Sequence, residues 1–254
     1  MNKYPFIKYL VFDLDDTLLR KDRTISSFTL DVLTKAKKQG YVIIFNTSRS
    51  RQNSQKYIDL VKPDFGVYNG GCEIDNEKGN ILYASCINKR ETKKITKYLS
   101  TCMDKISVQS KDNFYASDKE YKAQNAIWTD FSDGLDVDAY KILCFSKDNG
   151  FIEKIASEYN LEHQNYLNSG WHRLSKKGNN KTTGLEKLMR LINSDFSHVC
   201  YFGDDYGDLE LINKVALGIA MKNSKEEVLK IAKHICLSND EDGCAKFIYD
   251  NLLD

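Results

Sequence analysis

Polar and apolar positions alternate between strand and helix periods in the first and last thirds of the chain. Ile7-Lys8-Tyr9-Leu10-Val11-Phe12 is rich in β-formers and ends at an acidic cluster, which predicts a strand. Ser26 fits a helix N-cap, Phe28, Val32 and Ala36 recur four apart, and Gly40 closes the segment, so a helix is expected between them. Tyr41-Val42-Ile43-Ile44-Phe45 is nearly all apolar, the pattern of a strand buried on both faces of a parallel sheet. A polar helix from about Ser50 and a short strand at Phe65-Gly66-Val67-Tyr68 come next, before an Asn69-Gly70-Gly71 turn. The rhythm resumes late in the chain. Leu185, Leu188, Met189 and Ile192 form a helical stripe, and His198–Phe202 and Ala216–Ala220 read as strands. Val228, Ile231 and Ala232 mark a further helix, His234–Leu237 a strand, and Ala245, Ile248 and Leu252 a last helix. The βαβ succession predicts a doubly wound parallel α/β sheet.

Two polar stretches interrupt this pattern, Asn76-Glu77-Lys78-Gly79-Asn80 and Lys176-Lys177-Gly178-Asn179-Asn180, and both have the composition of linkers. Between them lie helical segments around Lys89 to Cys102 and Phe151 to Tyr159, with polar, aromatic-containing strands such as Asn113-Phe114-Tyr115-Ala116. The expected organisation is a core built from residues 1–78 and 178–254, with an α+β domain of residues 79–177 inserted into it.

Composition narrows the class. The 254 residues are 41% apolar and 29% charged, a globular profile, and a net charge of +1 gives no field that would draw the chain to nucleic acid or an anionic membrane. No apolar run approaches the roughly 20 residues that span a bilayer. The N-terminus leads straight into a strand without a cleavage site of small residues, so no signal peptide is expected. Seven cysteines without a C-x-x-C pair read as reduced thiols in a soluble cytoplasmic protein, a nucleophilic or zinc-binding cysteine being the alternative.

The chemistry concentrates at strand ends. Val11-Phe12-Asp13-Leu14-Asp15-Asp16-Thr17 puts three carboxylates directly after a buried strand, at the edge where open α/β sheets bind ligands. Such crowding is costly unless a cation neutralises it, and hard carboxylate oxygens near a phosphate suit Mg²⁺. Thr47-Ser48-Arg49 follows the second strand and offers hydroxyls and backbone N–H groups to an anion. Lys181 opens a helix, and Gly203-Asp204-Asp205-Tyr206-Gly207-Asp208 supplies a second carboxylate group after another strand. Taken singly, each has a plainer reading: a solvated acidic turn, an N-cap, a surface lysine, a capped turn.

Together the four pieces resemble the haloacid-dehalogenase (HAD) superfamily, and within it the Cof-type, class IIB branch. Asp13, Asp15 and Thr17 match D-x-D-x-T, Thr47 the hydroxyl motif after the second strand, Lys181 the motif lysine, and Gly203, Asp204 and Asp208 match G-D-x-x-x-D. Asn69-Gly70-Gly71, Gly218-Ile219-Ala220-Met221-Lys222-Asn223-Ser224 and Asn239-Asp240-Glu241-Asp242-Gly243 are similar to text of that branch. Two positions depart from it: Asp16 stands where the branch has Gly, and Gly207 where it has Asn.

The resemblance implies a HAD core with an inserted cap and a Mg²⁺-dependent phosphomonoester hydrolase. Asp13 would be the nucleophile that becomes an aspartyl-phosphate, and Asp15 the acid and base. Thr47, Ser48 and Lys181 would hold the phosphoryl oxygens. The metal would sit on Asp13, the backbone carbonyl of Asp15 and Asp204, with Asp208 and Asn69 in support. The expected substrate is a small phosphorylated metabolite such as a sugar phosphate, handled by a monomer or weak homo-oligomer without nucleic acid or membrane. A phosphomutase of the phosphomannomutase type and a non-catalytic phosphate-binding regulator are the alternatives. His172 and Arg173, beside Trp171 near the end of the inserted domain, are candidate readers of the leaving group, with burial in that domain as the competing outcome.

Overall fold

Apolar residues at positions 9–12 build strand β1 (Tyr9–Phe12), the centre of the larger sheet. The computed structural model describes residues 2–119, 126–166 and 169–254. The chain divides into two compact units, Met1–Tyr83 with Asn180–Asp254, and Ala84–Asn179. After β1 come α1 (Ser27–Lys38), β2 (Val42–Asn46), α2 (Arg51–Val61), β3 (Phe65–Tyr68), β4 (Glu73–Asn76) and β5 (Ile81–Ala84). The second unit contains α3 (Lys89–Ser100), β6 (Ile106–Gln109), β7 (Phe114–Ala116), β8 (Ile127–Trp128), β9 (Lys141–Phe145), α4 (Asn149–Glu158), β10 (Leu161–Tyr166) and β11 (Trp171–Lys176). The chain then returns through α5 (Lys181–Leu191), β12 (Val199–Gly203), α6 (Leu209–Lys214), β13 (Leu217–Ala220), α7 (Glu226–Ile231), β14 (His234–Ile235) and α8 (Gly243–Asn251).

The first unit is the expected doubly wound sheet, in the order β14-β13-β12-β1-β2-β3-β4-β5, parallel from β14 to β3 and antiparallel between β3 and β4. Period-two alternation sends Leu10, Phe12, Ile43, Phe45 and Phe202 to one apolar cluster with Val32, Leu33 and Ile248. Val11, Ile44, Val67 and Tyr201 go to the other, against Leu185, Leu188 and Met189. Both faces are therefore covered, which is why the strands read as continuous apolar runs. The second unit is α+β: a six-stranded sheet, β10-β11-β9-β6-β7-β8, antiparallel except for the β7–β8 pair. Ile95, Leu99, Ile152 and Ile155 of its helices share a core with Val108, Ile142 and Leu174 of its strands. Among the described residues, no helix is long and apolar enough to cross a membrane.

Local expectations shifted in three places. Phe28 is exposed and tilts against Tyr249, because the buried face of α1 runs through Thr29, Val32, Leu33 and Ala36. Ile231 is likewise exposed. The Asn76–Asn80 stretch, read as a linker, is the turn of the β4–β5 hairpin. Asn76 Oδ1 accepts from the N–H groups of Lys78 at 3.1 Å and Asn80 at 3.0 Å. Turn and linker draw on the same Asn/Gly/Lys vocabulary, so composition alone does not separate them.

Candidate active site

Asp13 follows β1 directly, and its N–H donates to Phe202 O on the neighbouring β12 at 3.0 Å, so the sheet ladder fixes its position. The chain then makes one wide turn, with Leu19 N–H donating five residues back to Leu14 O at 2.8 Å. Asp16 sits in that turn with φ of +56°. A left-handed conformation favours glycine and tolerates aspartate, which accounts for Asp16 at a position where the similar branch has Gly.

Lys181, the first residue of α5, is buried and bridges two carboxylates, at 2.9 Å from Asp13 Oδ1 and 2.7 Å from Asp208 Oδ1. Three features seat it. Asn180 and Thr183 cap the helix reciprocally, and Asn46 Nδ2 donates to Lys181 O at 3.2 Å. Gly184 packs so tightly on Gly71 that a Cβ would come within 2.5 Å of the Gly71 Cα. The Asn69-Gly70-Gly71 turn thereby touches α5 on one side. On the other, Asn69 N–H donates to Arg49 O at 2.7 Å and Gly70 N–H to Thr47 O at 2.9 Å. Asn69 thus holds the Thr47–Arg49 loop through its backbone. Thr47 is buried, its N–H donating to Val67 O and its hydroxyl accepting from Arg49 N–H at 3.1 Å. Ser48 lies between them, half-buried.

Asp208 is saturated. Its Oδ1 accepts from Lys181 and from the Tyr201 hydroxyl at 2.6 Å, and its Oδ2 from the N–H groups of Asp204 and Asp205, both at 3.1 Å. Its side chain crosses Gly203, where a Cβ would lie 2.6 Å from the carboxyl carbon, so the turn needs glycine there. The same bonds close the turn without any side chain at Gly207. Asp204 accepts from the Thr17 hydroxyl at 2.6 Å. Asp13, Asp204 and Asp208 each bring a carboxylate oxygen within 4.8 Å of the other two, all three residues buried.

The electrostatics follow from one lysine facing this cluster. Burial pushes the Asp13 carboxyl up to about 7; Lys181 pulls it down, and Asp208 and Asp15 push it up. Burial, then Asp13 and Asp208, raise Asp204 to about 8 against the Thr17 bond and Lys181. Burial opposes the charge on Lys181, but Asp13 and Asp208 outweigh it and keep the ammonium firmly protonated. Asp15 behaves differently. Burial would raise its carboxyl, yet the bidentate bond from Arg49, at 2.6 and 2.7 Å, and the charges of Arg49, Arg23 and Lys181 hold it below the usual range. Arg23 also donates to Asp15.

Of the sequence candidates, Asp13, Thr47, Lys181, Asp204, Asp208 and Asn69 lie around this one sheet edge. The Asp15 carboxylate is turned to the two arginines. Thr17, Arg23, Arg49 and Tyr201 take part as well. Tyr201 was the hardest to foresee, its only signal being a polar tip inside a buried apolar strand. His172 and Arg173 sit inside the second unit. Ser146 O can only accept, so His172 Nε2 donates to it at 3.1 Å, and His172 Nδ1 meets His163 Nε2 at 3.0 Å. Arg173 donates to Gln164 Oε1 and Asn179 O, both at 3.3 Å, and both side chains are buried.

The sequence family described as haloacid dehalogenase-like hydrolase matches residues 10–248, which takes in every motif above. The chain belongs to the haloacid dehalogenase-like hydrolases. Among its HAD relatives is 5-amino-6-(5-phospho-D-ribitylamino)uracil phosphatase YitU of Bacillus subtilis, 24% identical over 98% of each chain. A haloacid dehalogenase-like hydrolase from Bacteroides thetaiotaomicron shares the HAD fold at a TM-score of 0.83 and 23% identity, covering 96% of this chain and 99% of that one. A sugar phosphatase of HAD subclass IIB matches at a TM-score of 0.82 and 20% identity, covering 96% and 98%.

Proposed function

We propose that this HAD protein is a Mg²⁺-dependent phosphomonoester hydrolase that works through an aspartyl-phosphate on Asp13. The observation that carries this reading is the buried Asp13 carboxylate, paired with Lys181 at 2.9 Å and crowded by Asp204 and Asp208 at the carboxyl end of a parallel sheet. Raised proton affinity at Asp13 and Asp204 marks a cluster short of positive charge, and its hard oxygens fit Mg²⁺. Asp13, Asp204 and the Asp15 carbonyl would hold the ion, which when bound keeps these carboxylates ionised and draws charge from the phosphoryl group.

Asp13 attacks phosphorus in line, and the P–O bond to the leaving group breaks as the acyl phosphate forms. Asp15 gives its proton to the departing alkoxide, then takes one from the water that cleaves the acyl phosphate, releasing phosphate and restoring Asp13. For Asp15 to carry that proton, the guanidinium bonds from Arg49 and Arg23 must open. Thr47, Ser48 and Lys181 bind the phosphoryl oxygens. Asp208 positions Lys181 and the Asp204 turn.

The names of two relatives support a substrate class. The curated phosphatase acts on a phosphorylated ribityl chain and the structural neighbour is named a sugar phosphatase, so a phosphate on a small polyol or sugar is proposed here too. The test is phosphate release from a panel of phosphorylated sugars, sugar alcohols and an aryl phosphate. Activity should disappear with a chelator, return with Mg²⁺ and favour the polyol esters. Undiminished release in the chelator, or none from any ester, would contradict the reading.

A further inference from the structure

Three sulfur atoms from separate segments of the first unit meet behind the acidic cluster. Cys236, just past β14, and Cys244, in the first turn of α8, both direct Sγ at the thioether of Met221, at 3.3 and 3.6 Å from its Sδ. All three residues are buried. Cys244 Sγ also lies 3.6 Å from Thr17 O, and Cys236 Sγ 3.3 Å from Leu237 O. Buried cysteines ordinarily act as small apolar side chains. Two thiols converging on one thioether give this cluster a different character, a set of three soft side-chain donors.

We infer that Cys236, Cys244 and Met221 form a binding site for a soft monovalent cation, Cu(I), separate from the carboxylate site. Ligand type selects the ion: thioether with thiolate favours Cu(I), whereas Mg²⁺ wants oxygen and Zn²⁺ wants four donors from Cys, His or carboxylate. Size is compatible, since metal–sulfur bonds of about 2.3 Å in a three-coordinate plane set the sulfurs about 4 Å apart, so the thiols at 3.3 and 3.6 Å from Met221 Sδ would move outward by less than about 1 Å. Charge agrees as well. Cu(I) replaces one thiol proton, which leaves to solvent, while the second thiol and the thioether coordinate as neutral donors. The apolar surroundings, which include Leu18, Phe202 and Ile219, therefore carry no added charge. Burial raises the Cys236 thiol to about 12 and pushes the Cys244 thiol well above its ordinary range, so only a strongly thiophilic cation competes with the proton.

The test uses the full-length reduced protein under anaerobic conditions, titrated with Cu(I) supplied as its bicinchoninate complex. One equivalent should be withdrawn from the chelator, with a near-ultraviolet thiolate-to-copper absorption and a copper-edge X-ray spectrum showing sulfur neighbours only. Cys236→Ser and Cys244→Ser should each weaken uptake by about 100-fold and Met221→Leu by about 10-fold, all with unchanged far-ultraviolet circular dichroism. Cys102→Ser, at an exposed thiol, should keep full uptake. Met221→Leu retains both thiols and an apolar core, so it guards against loss of folding as the cause. No withdrawal of copper by the wild-type chain overturns the inference. So does uptake that survives all three cluster substitutions, uptake that depends on Cys102, or nitrogen and oxygen neighbours at the copper edge.

Discussion

Both units bury charged or titratable side chains, but they treat them in opposite ways. In the first, Asp13, Asp204 and Asp208 face one Lys181, so negative charge exceeds the local positive charge and two carboxyls are driven to about 7 and 8. In the second, His172 and Arg173 are as deeply buried, yet they bond within their own sheet and its flanking loops. Burial penalises a charge in either place. The first unit leaves that penalty partly uncompensated, in a form that a bound cation would relieve; the second resolves it by hydrogen bonding. Unresolved charge therefore distinguishes a reacting site from a structural polar core more sharply than burial does.

Lys181→Ala should break the contrast most severely. It leaves Asp13 and Asp208 without their cation, so kcat is expected to fall by about 10³-fold and metal-free stability by about 3–5 kcal/mol. Steady-state kinetics and denaturant melts check both. His172→Ala should instead cost about 2–4 kcal/mol of stability while leaving kcat within about threefold, because it removes packing and two hydrogen bonds. A selective loss of sugar-phosphate turnover, with stability intact, would return His172 to the role of substrate reader.

The two units should also answer pH with opposite sign. Asp13 and Asp204 have folded values above the unfolded 3.8, so the folded chain holds the extra protons. The stability they contribute to the metal-free protein is present below about pH 4 and is lost as pH rises through 7 to 8. His163 is lowered from 6.5 by burial first and then by the charge of His172, Glu153 opposing. There the unfolded chain takes the extra proton, so stability is present above about pH 6.5 and is lost as pH falls. Amide exchange should show β12 protection falling from pH 6 to 8, β11 protection falling from pH 7 to 5, and the first trend vanishing with Mg²⁺. Equal slopes in both strands would remove the contrast. The smallest expected effect is Arg49→Lys, which replaces the bidentate fork by a point charge and moves the Asp15-dependent limb of the pH–rate profile upward by about one unit or less.

Where periodicity carried information, the sequence was legible. β1, β2 and β12 read as buried strands because both their faces are covered, and the Leu185/Leu188/Met189 stripe named the buried face of α5. Asp13, Thr47, Lys181 and Asp204 were visible because each stands where a strand ends or a helix begins. What stayed hidden depends on three-dimensional contact. The Arg49–Asp15 fork joins two loops 34 positions apart. Tyr201 donates to Asp208 from a strand whose pattern asks only for apolar bulk. The saturation of Asp208 and the approach of two thiols to Met221 appear only once the loops are assembled. Surface aromatics such as Phe28 misled because a four-residue spacing does not say which edge of the apolar stripe faces solvent.

In the proposed reaction Asp13 carries the phosphoryl group. Rapid acid quench of the enzyme turning over a radiolabelled phosphate ester, followed by peptide mapping, tests it directly. A hydroxylamine-labile label is expected on the peptide containing Asp13, and neither label nor turnover in Asp13→Asn. Label on another residue, or turnover in Asp13→Asn within about tenfold of wild type, would contradict it.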